Sequence, residues 1–214
     1  MLAGLAGCAS EPVERNLDHH ASASEQSPLW QAASNGELEQ VTALVQSGSA
    51  LNTVTEAGTP LMAAVRAGEA RIAWYLLSEG ADPDLADASG ETPLMVAAGE
   101  GNRRMVELLL SGGARVNAAD RDGNTAIIRA AEQGNLSVVK TLLTAGANVN
   151  VSQGGDSLLM KIVDNGDLLT AEMLLAAGAD VHYQAPDGDT ALDRARAIGN
   201  EDLEMLLVQA GARR

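Results

Sequence analysis

From residue 27 onward the chain alternates two short apolar stretches with polar turns, and the alternation repeats with a fixed period. Each unit opens on a small hydroxyl residue: Ser27, Thr59, Thr92, Thr125, Ser157 and Thr190. Nine residues later a glycine follows (Gly36, Gly68, Gly101, Gly134, Gly166, Gly199), and twelve further a second one (Gly48, Gly80, Gly113, Gly146, Gly178, Gly211). Successive units are offset by 32 or 33 residues. A period of this length signals a stacked-repeat architecture in which each unit buries its apolar face against its neighbours.

Each position has a physical role. A Ser or Thr hydroxyl at the N-cap accepts from free backbone N–H groups of the first helical turn. Pro28, Pro60 and Pro93 follow at the first helical position, where the missing N–H costs nothing. The pairs Ala32-Ala33, Ala97-Ala98 and Ala130-Ala131 let a neighbouring helix approach closely. Glycine closes the helix because the left-handed cap is unstrained only there. A second helix carries apolar residues at helical spacing, as in Met105-Val106-x-Leu108-Leu109 and Val138-Val139-x-x-Leu142-Leu143. The polar stretches Asp120-Arg121-Asp122-Gly123 and Pro186-Asp187-Gly188-Asp189 read as turns at the tips of hairpin-like fingers.

The run from Gly90-Glu91-Thr92-Pro93-Leu94 to Gly112-Gly113-Ala114-Arg115-Val116-Asn117 resembles the ankyrin repeat, and the resemblance extends from Ser27 to Arg214. It implies an all-α solenoid of six stacked helix–loop–helix repeats with β-hairpin fingers. The units run approximately over 27–54, 55–87, 88–120, 121–152, 153–185 and 186–214. The family usually has His after Thr-Pro-Leu. This chain has Trp30, Met62, Met95, Ile128, Met160 and Asp193, which predicts apolar packing between repeats in place of a histidine network. The fifth unit departs most, with Lys161-Ile162-Val163 where two alanines are expected, and should pack less tightly or shift the curvature. The first unit lacks a preceding finger. The last is polar in its second helix (Glu201, Asp202, Glu204, Gln209), and both ends read as caps of a whole array.

Composition narrows the partner. The formal net charge is −15, which argues against nucleic acid and favours a protein partner, with a basic one suited to the acidic surface. Aromatic residues make up 2% of the chain, with no Phe, so the core must be aliphatic. Twelve of the fourteen basic residues are arginine, which with abundant Ala and Gly suggests a GC-rich bacterial genome.

The segment 1–8 ends in Leu5-Ala6-Gly7-Cys8, which resembles a bacterial lipobox. The resemblance implies acylation of Cys8, the only cysteine, and an envelope or periplasmic address with residues 9–26 as a polar tether. Only seven residues precede Cys8 and none is basic, so either the start codon lies upstream or the match is chance and the chain is a cytoplasmic or secreted scaffold. A membrane contact is expected only through this anchor, and the chain is expected to be a monomer.

No catalytic motif is legible, and no cofactor or metal is expected. His19 and His20 lie in the tether, and Asp120-x-Asp122-Gly123-Asn124 lacks the distal ligands of a calcium loop. The chain is therefore expected to bind and not to catalyse. In such stacks the binding surface is the concave face of finger tips and first helices. Here that face offers Arg66, Asp87, Glu100, Arg121, Arg129, Glu132, Lys161, Asp164, Tyr183 and Arg194, with Tyr183 as the expected anchor. Exposed Trp74 marks either a second contact on the convex side or local packing. The functional readings are an anchored envelope interaction module, an inhibitor or immunity protein for a cationic secreted toxin, and a scaffold for envelope proteins.

Overall fold

The computed structural model describes residues 27–213; the lipobox segment with Cys8 and the tether lie outside the described residues. Twelve α-helices follow one another in these residues as six pairs. Each pair has a seven-residue inner helix and a nine-residue outer helix. The inner helices are α1 (Pro28–Ser34), α3 (Pro60–Arg66), α5 (Pro93–Gly99), α7 (Ala126–Glu132), α9 (Leu158–Asp164) and α11 (Ala191–Ala197). The outer helices are α2 (Leu38–Gln46), α4 (Ala70–Ser78), α6 (Arg103–Ser111), α8 (Leu136–Thr144), α10 (Leu168–Ala176) and α12 (Glu201–Gln209).

The capping expected from the sequence is in place at five of six inner helices, where Ser27, Thr59, Thr92, Ser157 and Thr190 accept from the N–H three residues on. Thr125 departs: its hydroxyl is buried without a hydrogen-bond partner, and nothing in its surroundings explains why. At the far end of α1 the N–H of Glu37 bonds to the carbonyl of Ala32 and that of Gly36 to Ala33, with Gly36 at φ +77°. This is the double bond of a Schellman turn, which satisfies carbonyls the helix cannot reach.

The inner helices α3, α5, α7 and α9 lie sandwiched between the outer helices and the flanking units and bury most of their residues, while the terminal α1 and α11 bury three of seven each. Leu61, Met62, Ala64 and Val65 of α3 are fully inaccessible, as are Ala97 and Ala98 of α5. Outer helices bury one stripe, such as Met105, Val106 and Leu109 of α6. The position that is histidine in the resembling repeat is filled by buried Met62, Met95, Ile128 and Met160, so these layers are joined by apolar contact. At the sixth unit Asp193 instead closes a reciprocal capping box with Thr190.

Helices α5 and α7, with Ala97-Ala98 facing Ala130-Ala131, approach closely. In α9, Ile162 and Val163 fill the positions that alanines hold in α5 and α7, and both are fully buried, so the fifth unit is filled at these positions.

Only one finger, among the described residues, is a regular strand pair: β1 (Ser152–Gln153) against antiparallel β2 (Asp156–Ser157). Its turn is Gly154-Gly155, both at positive φ, as a two-residue hairpin turn with right-handed twist requires. The other fingers hold isolated bridges, such as Thr55 with Gly58, or hydrogen-bonded turns.

Side-chain amides and carboxylates link the loops between units. Asn52 accepts from the N–H of Asp82, Asp84 from Arg115, Asn117 from Asn148, and Asn150 from Asp180, all at 2.8–2.9 Å. On the opposite edge, Asn135 donates to the last carbonyls of α5, at Ala98 and Gly99.

Candidate functional site

The concave face is built from the exposed side of the inner helices and the bases of the fingers. Its helix cations are all ion-paired, and Arg66, Arg129 and Arg194 reach finger carboxylates. Arg66, at the end of α3, binds Asp87 at 2.7 Å and Glu91 at 3.4 Å, and donates to the carbonyl of Ala57. Arg129 of α7 binds Asp120 at 3.1 Å and reaches Glu91 at 3.7 Å. Arg194 of α11 lies within 3.3 Å of Asp156, Asp164, Asp187 and Asp189. Lys161 of α9 bridges back to Glu132 at 3.3 Å. Each cation thus ties its own inner helix to a carboxylate on its own or an adjacent unit.

The aspartates do double duty. One oxygen of Asp87 accepts from the backbone of Ser89 and Glu91 and from the Ser89 hydroxyl, which shapes the turn, while the other holds Arg66. Asp120 repeats the arrangement with Asp122, Asn124 and Arg129. Burial alone would raise both carboxyls. The hydrogen bonds from Ser89, from Asn124 and from the arginines outweigh it and hold both below the usual carboxylate range. Arg194 is likewise held above its already high value: burial opposes its charge, and four aspartates overcome that.

Between the second and fourth units the face opens into a cleft of about 420 Å³. Buried Met95 and Val96 form its floor, and Gly99 keeps it wide where other units carry Arg66, Glu132 or Asp164. Arg66, Glu91 and Arg129 form the rim. Glu100 stands at its edge, and its carboxylate has no ion pair or hydrogen bond among the described residues. Partial burial pushes its carboxyl above the usual range; Glu91 adds to the push and Arg66 opposes it. This is a carboxylate short of a cation.

The remaining residues expected from the sequence divide. Arg121 is exposed at the third finger and unpaired among the described residues, with its backbone N–H on the carbonyl of Ser89. Tyr183 stands on the stem of the last finger, not at its tip, and is half-buried. Its hydroxyl donates to the carbonyl of Gly155. Missed from the sequence were Glu91, Asp156 and Asp189 as partners of the arginines. The signal was available: Asp120 and Arg129 are nine residues apart, one at the base of the finger and one at the fourth position of the helix it leads into. Among the described residues no cluster of three or more His, Cys, Asp or Glu could hold a metal ion.

A periodic stack of helix pairs with fingers and a cleft on one side is now established, and the comparisons agree with it. A family model described as ankyrin repeats (3 copies) matches residues 1–87 and 73–153. The chain belongs to the ankyrin-repeat family. The chain is also similar to the crystal structure of an ankyrin repeat domain from Acinetobacter baumannii AYE, with 33% identity and a TM-score of 0.81. That match covers 87% of this chain and 98% of the other. The ankyrin repeat domain of Bcl-3, described as a unique member of the IkappaB protein family, matches with 29% identity and a TM-score of 0.81. It covers 89% of this chain and 88% of that one. Ankyrin repeats mark the chain as a protein–protein interaction module.

Proposed function

We propose that this ankyrin stack is a non-catalytic module that binds a basic protein segment across its concave face, and that an acyl chain on Cys8 holds it at a bacterial envelope membrane. The observation that carries the binding reading is Glu100, a carboxylate at the edge of the central cleft with no cation of its own. The arginines around it are already matched to Asp87, Glu91 and Asp120. An incoming Lys or Arg would complete the set, with its aliphatic stem over Met95 and Val96. The chain's acidity would steer such a partner to the cleft. The Leu5-Ala6-Gly7-Cys8 sequence supports the envelope address, and the likeness to an ankyrin repeat domain from Acinetobacter baumannii supports a bacterial source.

Pulldown from envelope extract with the wild type and with Glu100→Lys tests the site. The partner should be retained by the wild type and lost by the variant, since one added charge places two like charges at the contact. Retention by both would remove the cleft from the binding surface. Palmitate labelling of the full reading frame, with Cys8→Ala as control, tests the anchor; no label in either protein would refute it.

A further inference from the structure

The convex side carries a second constellation that the concave binding mode leaves unused. Outer helices α2, α4 and α6 enclose a groove of about 380 Å³. Leu38, Tyr75 and Leu108 line it, and the indole of Trp74 is 61% exposed there. The equivalents of Trp74 in the other outer helices are Thr42, Glu107, Lys140, Glu172 and Met205, so no repeat rule demands an indole at this position. Arg71 and Arg104 also line the groove, at the second residue of α4 and of α6. The helix dipole disfavours a cation in the first turn. Neither arginine has an ion pair among the described residues, although the chain has 29 acidic groups against 14 basic ones. Most other arginines are matched: Arg66, Arg103, Arg115, Arg129, Arg194 and Arg196 all have carboxylates within 4.0 Å.

We propose that this groove is a docking site for an extended, acidic segment of a partner protein, with one apolar side chain seated beside Trp74 and carboxylates on Arg71 and Arg104. Charge complementarity selects the occupant, since the groove offers two unmatched cations on a protein that is otherwise strongly acidic. The repeat sets the spacing. Arg71 and Arg104 occupy the same position on neighbouring outer helices, which lie about 10 Å apart. Three residues of a polyproline II segment span about 9 Å and bring the side chain back to the same face, which an alternating β-strand would not. The fitting pattern is therefore glutamate, two residues including a leucine or phenylalanine, then glutamate. Arginine gives each carboxylate two parallel donors, which a lysine could not. This site is separate from the concave cleft and does not rest on it.

The test uses fluorescence anisotropy of a labelled twelve-residue peptide carrying that pattern, with a control peptide of equal composition whose glutamates are adjacent. The full chain is compared with Arg71→Glu, Arg104→Glu and Trp74→Ala, all at exposed positions where folding is checked by circular dichroism. The expected result is saturable binding of the patterned peptide, weakened at least about tenfold by each substitution and unaffected by Glu201→Gln at the exposed start of α12. Four results would overturn the inference. These are no saturable binding of the patterned peptide, equal binding of the control peptide, indifference to the two arginine reversals, or binding of anionic lipid vesicles in place of the peptide.

Discussion

The hydroxyl of Tyr183 donates to the carbonyl oxygen of Gly155 at 2.9 Å, joining the stem of the last finger to the turn of the finger before it. The bond relies on Gly155, whose φ of +96° and contact with Pro186 leave no room for a side chain: a Cβ there would lie 2.8 Å from the proline ring. Removing the hydroxyl leaves the ring packed and the carbonyl unpaired. Tyr183→Phe should cost about 1 kcal/mol, and lower the melting temperature by about 2–4 °C. Equal urea midpoints for the two proteins would contradict a supporting role for this bond.

Arg194 concentrates four carboxylates around one guanidinium that is 21% exposed. Its loss leaves those carboxylates facing one another. Arg194→Ala is expected to destabilise by about 1–3 kcal/mol, and Arg194→Lys to recover only part of this because one ammonium cannot match four directions. Because the penalty is repulsion, it should shrink near 1 M salt, where the Debye length is about 3 Å. A deficit that salt does not change would assign it to packing instead.

Thr92 and Thr125 occupy the same register position with opposite hydrogen-bonding status. The Thr92 hydroxyl caps α5, and Thr92→Val should cost about 1 kcal/mol. The Thr125 hydroxyl is buried without a partner, so Thr125→Val should be neutral or stabilising. Chemical denaturation of the two variants side by side checks the contrast, and equal losses would reject it.

Acid should unfold the stack late. Asp87 and Asp120 have folded-state values below the usual carboxylate range, so their contribution is complete above about pH 4 and is lost as pH falls through those lower values. Urea midpoints should fall steeply only below about pH 4, and Asp120→Asn should flatten that fall. Glu100 behaves in the opposite sense, because its raised value lets it take a proton first. Capture of a basic partner should therefore weaken at a pH where the fold is still intact, which a binding titration over pH 4–7 would detect.

The fold was legible because its markers are local. A hydroxyl, a glycine nine residues on and a second glycine twelve further each report a backbone geometry that no distant contact can override. The pairing on the concave face was less legible. Arg66, Arg129 and Arg194 were readable as exposed, but whether they were free depended on finger carboxylates up to 38 residues away, as with Arg194 and Asp156. Tyr183 was expected at a finger tip and stands on the stem instead, because hairpin and turn connections look alike in sequence. The groove around Trp74 was half legible. The exposed indole stood out, but Arg71 and Arg104 join it only through the alignment of successive outer helices.

The loop bonds of Asn52, Asp84, Asn117 and Asn150 run parallel to the stack and connect only adjacent units. Pulled from its two ends, the molecule would load these four links in series with the joint between the fifth and sixth units, which no such loop bond spans among the described residues. That joint, between α9 and α11, rests instead on Arg194 with Asp156 and Asp164 and on Tyr183 with Gly155. Extension would start there, and the domain would lengthen in steps of one unit while the cleft of the second to fourth units kept its shape.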